Sequence, residues 1–205
     1  MANYHKFVFD SDKREFIGDF ENMYAQESIQ NFDSWHQDDS RQIQRNIVSN
    51  LLQEWQFPFT VDLGCGKGSF THLLKKKNND VLGLDLSNHA VSVASSRFPD
   101  IKFKQIDFSD LNKLNLIIKE TKKRVNLFVC LECLSYLENW TEFLRLCAQR
   151  REFIIIALYL PENPIGFVNS REQLTKEFLI SFDPLAIISL EISNFIVLFG
   201  KSKIV

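Results

Sequence analysis

The sequence predicts a doubly wound α/β fold: a mostly parallel seven-stranded sheet, helices on both faces, and a C-terminal antiparallel hairpin strand. Three observations carry that expectation. From Phe57 onward, apolar β-rich runs alternate with helical patterns. Two of those runs, Leu127-Phe-Val-Cys-Leu131 and Phe153-Ile-Ile-Ile-Ala-Leu158, are apolar without alternation, as strands covered on both faces are. Three of the seven glycines fall within five residues, Gly64, Gly66 and Gly68, where the first run stops and a helical pattern begins.

The elements follow in order. Strands are expected over 59–63, 81–85, 101–106, 125–131 and 151–160, with helices near 69–79, 88–97, 110–122 and 137–149. After a helix near 170–181, the runs 185–192 and 195–199 are separated only by Ser193-Asn194. So short a connection cannot cross over a sheet, so these two strands form an antiparallel hairpin and one sheet edge ends in an antiparallel strand. A helix over 39–55 leads into the first strand. Before it lies a stretch rich in aromatics, Phe16, Phe20, Tyr24, Phe32 and Trp35. The expectation is a single domain over 1–205, with 1–38 an N-terminal extension or flap and 39–205 a Rossmann-like core.

Composition excludes several classes. With 45% hydrophobic and 24% charged residues over 205 positions, the chain reads as globular. A net charge of -2 gives no electrostatic footprint for nucleic acid, which makes that partner unlikely. The longest apolar run, 153–160, is far short of a membrane span, and the first ten residues lack a signal-peptide core. A cytoplasmic location without membrane association is the default. Cys130-Leu-Glu-Cys133 has metal or redox spacing, but no second ligand pair accompanies it, so no metal is expected. At a buried strand end, such cysteines act as small hydrophobes.

The glycine cluster limits the chemistry. A backbone without Cβ at alternate positions can turn tightly and approach a ligand closely. A Walker A loop requires Gly-Lys-Ser/Thr, but Lys67 precedes Gly68. A dinucleotide fingerprint requires G-x-G-x-x-G, but Ser69 occupies the third glycine's place. The spacing present is G-x-G-x-G, with Asp62 two residues before it. Val61-Asp62-Leu63-Gly64-Cys65-Gly66-Lys67-Gly68 resembles the first motif of class I S-adenosylmethionine (SAM) dependent methyltransferases.

That resemblance implies a set of cofactor contacts for SAM and its product S-adenosylhomocysteine (SAH). It implies that Asp62 helps hold the amino-acid end and that the Gly64, Cys65, Gly66 and Gly68 loop approaches the cofactor. Asp85, 19 residues beyond Gly66 at the second strand's end, is placed for ribose hydroxyls. The resemblance gives Asp107 to the adenine amino group and Phe108 to its ring, with Leu86 and Leu131 nearby. Simpler roles stay open: Asp62 and Asp107 as cap or turn residues, Asp85 as a helix cap. For that last role Ser87 and Asn88 are better placed.

The fourth strand's end, Leu131-Glu132-Cys133-Leu-Ser135-Tyr136-Leu137, bears on the acceptor. No Asn/Asp-Pro-Pro-aromatic tetrad and no Pro-Cys pair occurs here. The segment resembles the small-molecule branch, with Tyr136 at a position where that branch often has histidine. For a protic acceptor, such a reaction needs positioning and removal of a proton. Candidate catalytic residues are Glu132, His36 and Tyr136, with Tyr24 and Tyr159 as hydrogen-bonding groups. Tyr136 as helix packing and His36 as a surface residue remain alternatives. The 158–167 segment and Ser170-Arg-Glu-Gln-Leu174 are similar to enzymes that methylate sugars or natural products. The implied function is methyl transfer to oxygen or nitrogen of a small-molecule acceptor. Alternatives are a protein or nucleic-acid acceptor reached through a partner, and a non-catalytic SAM-binding subunit.

Overall fold

A computed structural model describes residues 5–121, 123–150 and 152–204. The N-terminal segment contributes α1 (His5–Val8), a small antiparallel pair β1 (Phe9–Asp10) and β2 (Glu15–Phe16), and α2 (Phe20–Gln30). Then come α3 (Ile43–Leu52), β3 (Phe59–Leu63), α4 (Ser69–Leu74), β4 (Asp80–Asp85), α5 (Asn88–Arg97) and β5 (Lys102–Gln105). The second half adds α6 (Leu111–Glu120), β6 (Leu127–Leu131), α7 (Trp140–Gln149), β7 (Phe153–Tyr159), α8 (Arg171–Ser181), β8 (Phe182–Leu190) and β9 (Phe195–Ser202).

Among the described residues the large sheet has seven strands in the order β5-β4-β3-β6-β7-β9-β8. The first five positions in that order run parallel. The hairpin's second strand, β9, inserts between β7 and β8 and is antiparallel to both. The reversed strand therefore lies one place in from the edge, not at the edge as the sequence suggested. Seven residue pairs of β7 and β9 lie in register from Phe153↔Lys201 to Tyr159↔Phe195.

The unbroken apolar runs are explained by burial on both faces. In β6, Phe128 and Cys130 enter one core while Leu127 and Val129 enter the other. In β7, Ile154, Ile156 and Leu158 face the first core, and Ile155 and Ala157 the second. The first core is closed by α6, α7 and α8 through Leu114, Phe143 and Phe178, the second by α3 and α4 through Val48, Leu52 and Phe70. Every β strand alternates sides, so both layers need apolar residues at every position.

Several boundaries differ from the sequence expectation for local reasons. The helix expected over 69–79 stops at Leu74, because the Asn79 amide donates to the Leu74 carbonyl (2.9 Å) and its oxygen accepts from Lys76 N–H (2.7 Å). The helix expected from residue 39 starts at Ile43, because Asp39 accepts from Arg41 N–H (2.9 Å) in a turn. The hairpin connection is a 3₁₀ turn, Glu191–Ser193, closed by Asn194 at φ 56°, rather than two residues. Arg151 and Lys122, at the ends of two expected elements, and Met1–Tyr4 lie outside the described residues.

The chain leaves β3 toward β4 and β5 on one side, then returns to β6 on the other. Ligands of open α/β sheets bind at such a reversal, beyond the carboxyl ends of the strands. One side chain ties the opposite ends of these strands together. Asn126 Oδ1 accepts from Phe59 N–H (3.0 Å), and its backbone joins Phe59 and Phe153. Asn126→Ala is expected to cost about 1 kcal/mol, lowering the melting temperature by roughly 2–4 °C in a thermal melt, with ligand-induced shifts unchanged.

Candidate functional site

Two consecutive amides of the glycine loop, Gly64 N–H (2.8 Å) and Cys65 N–H (3.0 Å), donate to the Leu84 carbonyl of the neighbouring strand. The loop then turns at positive φ, 69° at Gly64 and 53° at Gly66. A Cβ at Gly64 would stand 2.6 Å from Cys133 Cβ, and one at Gly66 would stand 2.5 Å from the Gln37 amide. Neither position admits another residue without displacing its neighbour.

Asp85 accepts from Gly66 N–H (2.8 Å) with one oxygen and from Ser87 N–H (2.9 Å) with the other. Ser87 caps α5 by accepting from Ala90 N–H (3.1 Å), so Asp85 does not serve as that cap. Burial pushes Asp85 up to about 6, against the pull of its backbone donors. Asp62, 3% exposed, accepts from the Thr71 hydroxyl (2.6 Å) and is pushed up to about 7, again by burial. Asp107 is exposed and accepts from Ser109 N–H (3.0 Å) in a turn.

These groups share one cavity of about 860 Å³. Asp62, Gly64, Cys65, Asp85, Asp107 and Phe108 line it, as do Leu86 and Leu131. Gly66 and Gly68 stand back from its wall. Gly66 is roofed by Gln37, and Gly68 precedes α4 against Phe103 and Ala94.

Glu132, His36 and Tyr136 line the same cavity, and so do Tyr24 and Tyr159. Glu132 sits at φ 59°, a backbone conformation that costs a non-glycine residue energy and often marks a functional site. Its Oε2 accepts from Tyr159 N–H (2.9 Å), while Oε1 is buried without a hydrogen-bond partner. Burial pushes Glu132 up to about 8. His36 is exposed, at φ 49°. The Tyr136 ring stacks on Phe16 (5.4 Å, 5°) and meets Phe20 at 5.1 Å, so it docks the N-terminal segment. The buried Tyr24 hydroxyl accepts from Gln37 Nε2 (3.0 Å), and burial pushes its pKa well up.

Four further residues shape the site without having been singled out in the sequence as site residues. Arg45 of α3 lines the cavity and donates to the Gln37 carbonyl; burial lowers its pKa against the opposing fields of Asp62, Asp33 and Glu132. Gln37 Oε1 accepts from Lys67 N–H (2.8 Å). Lys67 Nζ lies 2.9 Å from Glu27 and 2.9 Å from Asp33, so its charge is turned away from the cavity into the N-terminal segment. Arg14, in the turn between β1 and β2, donates to Asn163 (2.9 Å to Oδ1) across the cavity mouth. All four act through partners distant in sequence, and an arginine on the helix entering the glycine-loop strand was the only local signal for any of them.

The family model for a methyltransferase domain matches residues 61–150, the span from the glycine-loop strand to the end of α7. This stretch resembles a methyltransferase domain in sequence, and the chain shares its fold with solved SAM-dependent methyltransferases. The chain is 43% identical over 54 residues to trans-aconitate 2-methyltransferase of Methylobacterium nodulans, a match that covers 25% of this chain and 21% of that protein. It is 22% identical over 116 residues to putative methyltransferase 235L of Invertebrate iridescent virus 6, covering 54% and 41% respectively. The matches thus span about a fifth and two-fifths of these relatives' lengths. Among solved structures, the N-methyltransferase NodS of Bradyrhizobium japonicum WM9, in complex with SAH, superposes with a TM-score of 0.70 at 15% identity. That likeness covers 89% of this chain and 98% of NodS. No helix among the described residues is long and apolar enough to cross a membrane. Cys130 and Cys133 are buried with their sulfurs 2.9 Å apart, and among the described residues no cluster of three metal-ligating side chains occurs.

The raised pKa of Glu132 has a stability consequence. A carboxyl at about 8 when folded and near 4.5 when unfolded favours the native state below pH 4.5 and loses that advantage as pH climbs toward 8. Glu132→Gln keeps an acceptor for Tyr159 N–H and cannot ionise. It is expected to raise the melting temperature by roughly 3–6 °C at pH 8.5 and to change it little at pH 5, measured on the ligand-free protein.

Proposed function

We propose that this protein is a SAM-dependent methyltransferase acting on oxygen or nitrogen of a small metabolite. One observation carries the reading: Asp62, Asp85 and Asp107, from three successive strand ends, line a single cavity beside Gly64. A second supports SAM over a phosphorylated cofactor. Lys67, the cation within the glycine loop, is committed to Glu27 and Asp33, so it offers nothing to a phosphate. A nucleoside without phosphate suits such a loop, and the cavity volume lies in the range of small-molecule sites.

In this reading Asp62 and Arg45 hold the amino-acid end of the cofactor, one facing its ammonium and the other its carboxylate. Asp85 takes the ribose hydroxyls, and Asp107 with Phe108 and Leu86 receives the base. Cys65 and Leu131 fill the wall between. Gly64 admits close backbone approach, while Gly66 and Gly68 shape the turn. When bound, SAM supplies an electrophilic methyl group on a sulfonium. The protein positions the acceptor and excludes water, tasks for which residues 1–38 serve as a cap over the core of 39–205. Aromatic contacts of Phe16 and Phe20 with Tyr136 support that role. The Methylobacterium relative, named for trans-aconitate, supports an acceptor of metabolite size.

Thermal shift measurements test the reading. SAM and SAH are expected to raise the melting temperature, by about 2.7 kcal/mol of added stability at a hundredfold excess over Kd, and NAD to leave it unchanged. Asp85→Ala is expected to abolish the shift. Stabilisation by NAD alone would overturn the assignment.

A further inference from the structure

The cavity is lined by two described side chains with a buried polar atom lacking a hydrogen-bond partner, Ser34 Oγ and Glu132 Oε1, of which only the carboxylate is a base. Glu132 lines it with Oε2 engaged by Tyr159 N–H and Oε1 buried and unpaired. A buried oxygen left unsatisfied costs a protein stability, and this one is held by a residue already at φ 59°. Two such costs at one side chain that lines a ligand-sized space indicate an oxygen kept for the ligand. Arg45, whose charge acts on Glu132, donates to the Gln37 carbonyl.

We propose that Glu132 Oε1 is the proton acceptor for an amine or alcohol acceptor and that it ionises when a sulfonium enters the cavity. The proposal rests on the methyltransferase reading and deepens it by naming the acceptor class. As the acceptor nitrogen or oxygen forms its bond to the methyl carbon, the methyl–sulfur pair returns to sulfur. The acceptor's proton passes to Oε1, leaving methylated product, SAH and a neutral Glu132. In the ligand-free protein the group is neutral near pH 7, because burial disfavours its charge. A positive charge nearby reverses that balance. The base is thereby created only when the methyl donor is present.

SAM and SAH differ by one positive charge and a methyl group, so their affinity ratio isolates a group that senses the sulfonium. Several other ionisable groups surround Glu132: Arg45 on α3, Asp62 on β3, Asp85 on β4 and Cys133 beside it. Tyr159 on β7, Tyr24 and His36 of the N-terminal segment, and Arg14 and Asp107 line the same cavity. In the proposed placement Asp62 and Asp85 meet parts that the two ligands share, so their titrations cancel in the ratio.

The experiment is calorimetric binding of SAM and of SAH to the full chain between pH 6 and 9, for the native protein and Glu132→Gln. The expected result is a SAM preference that grows with pH, by roughly tenfold for each pKa unit that the sulfonium lowers. Glu132→Gln should bind both ligands with a pH-independent ratio. A flat ratio in the native protein, or a slope that survives Glu132→Gln, overturns the proposal while leaving the methyltransferase reading intact. Failure of both ligands to bind overturns that reading as well. A tritium-transfer assay from labelled SAM to panels of small amines, alcohols and carboxylic acids checks the acceptor class. Transfer to carboxylic acids alone, or to none of the three panels, overturns it.

Discussion

The site depends on one buried carboxylate. Asp85 receives Gly66 N–H on one oxygen and Ser87 N–H on the other, joining the glycine loop to the turn that starts α5. A buried carboxylate is tolerated when backbone donors offset its desolvation, and here two do. The same pair of bonds fixes the loop's path. With Gly64 and Cys65 both donating to the Leu84 carbonyl, the loop is anchored to β4 at three amides. Its remaining exposed edge is what the cavity sees.

Around that anchor the N-terminal segment closes the site by polar contacts at the loop and aromatic contacts farther out. Gln37 covers Gly66 and accepts from Lys67 N–H, and Lys67 reaches Glu27 and Asp33. Glu21 accepts from the Ser87 hydroxyl (2.6 Å), tying α2 to the start of α5. Farther out, Phe16, Phe20 and Trp35 surround Tyr136. The lysine that a phosphate-binding loop would aim at its ligand is thus a structural tether. The loop's chemistry follows from where that charge went.

Much of the fold was legible because its causes are local. Unbroken apolar runs marked β6 and β7, and the three-glycine spacing marked the turn after β3. Ser87 announced the start of α5 through the side-chain oxygen that caps it. Boundaries were harder: Asn79 and Asp39 divert the chain through single hydrogen bonds that compete with continued helix. The two-residue strands β1 and β2 gave no signal, since a pair that short has no periodicity to read. The strand-end acids were visible by position. Gln37 was not, because nothing in its neighbourhood distinguishes it from a residue of an ordinary turn, and for Arg45 the one local signal was its place on the helix before β3.

The sequence by itself determined the class of fold, the glycine turn and the row of acidic strand ends. Each is written in spacing and composition over a few residues, and short-range sterics and hydrogen bonding read that directly. Only the tertiary structure decided that β9 lies between β7 and β8. Only it sent Lys67 away from the cavity, wrapped Tyr136 in the N-terminal aromatics and left Glu132 Oε1 without a partner. Those outcomes depend on groups brought together from dozens of positions apart. Burial and pairing are properties of the assembled neighbourhood, and no local pattern encodes them.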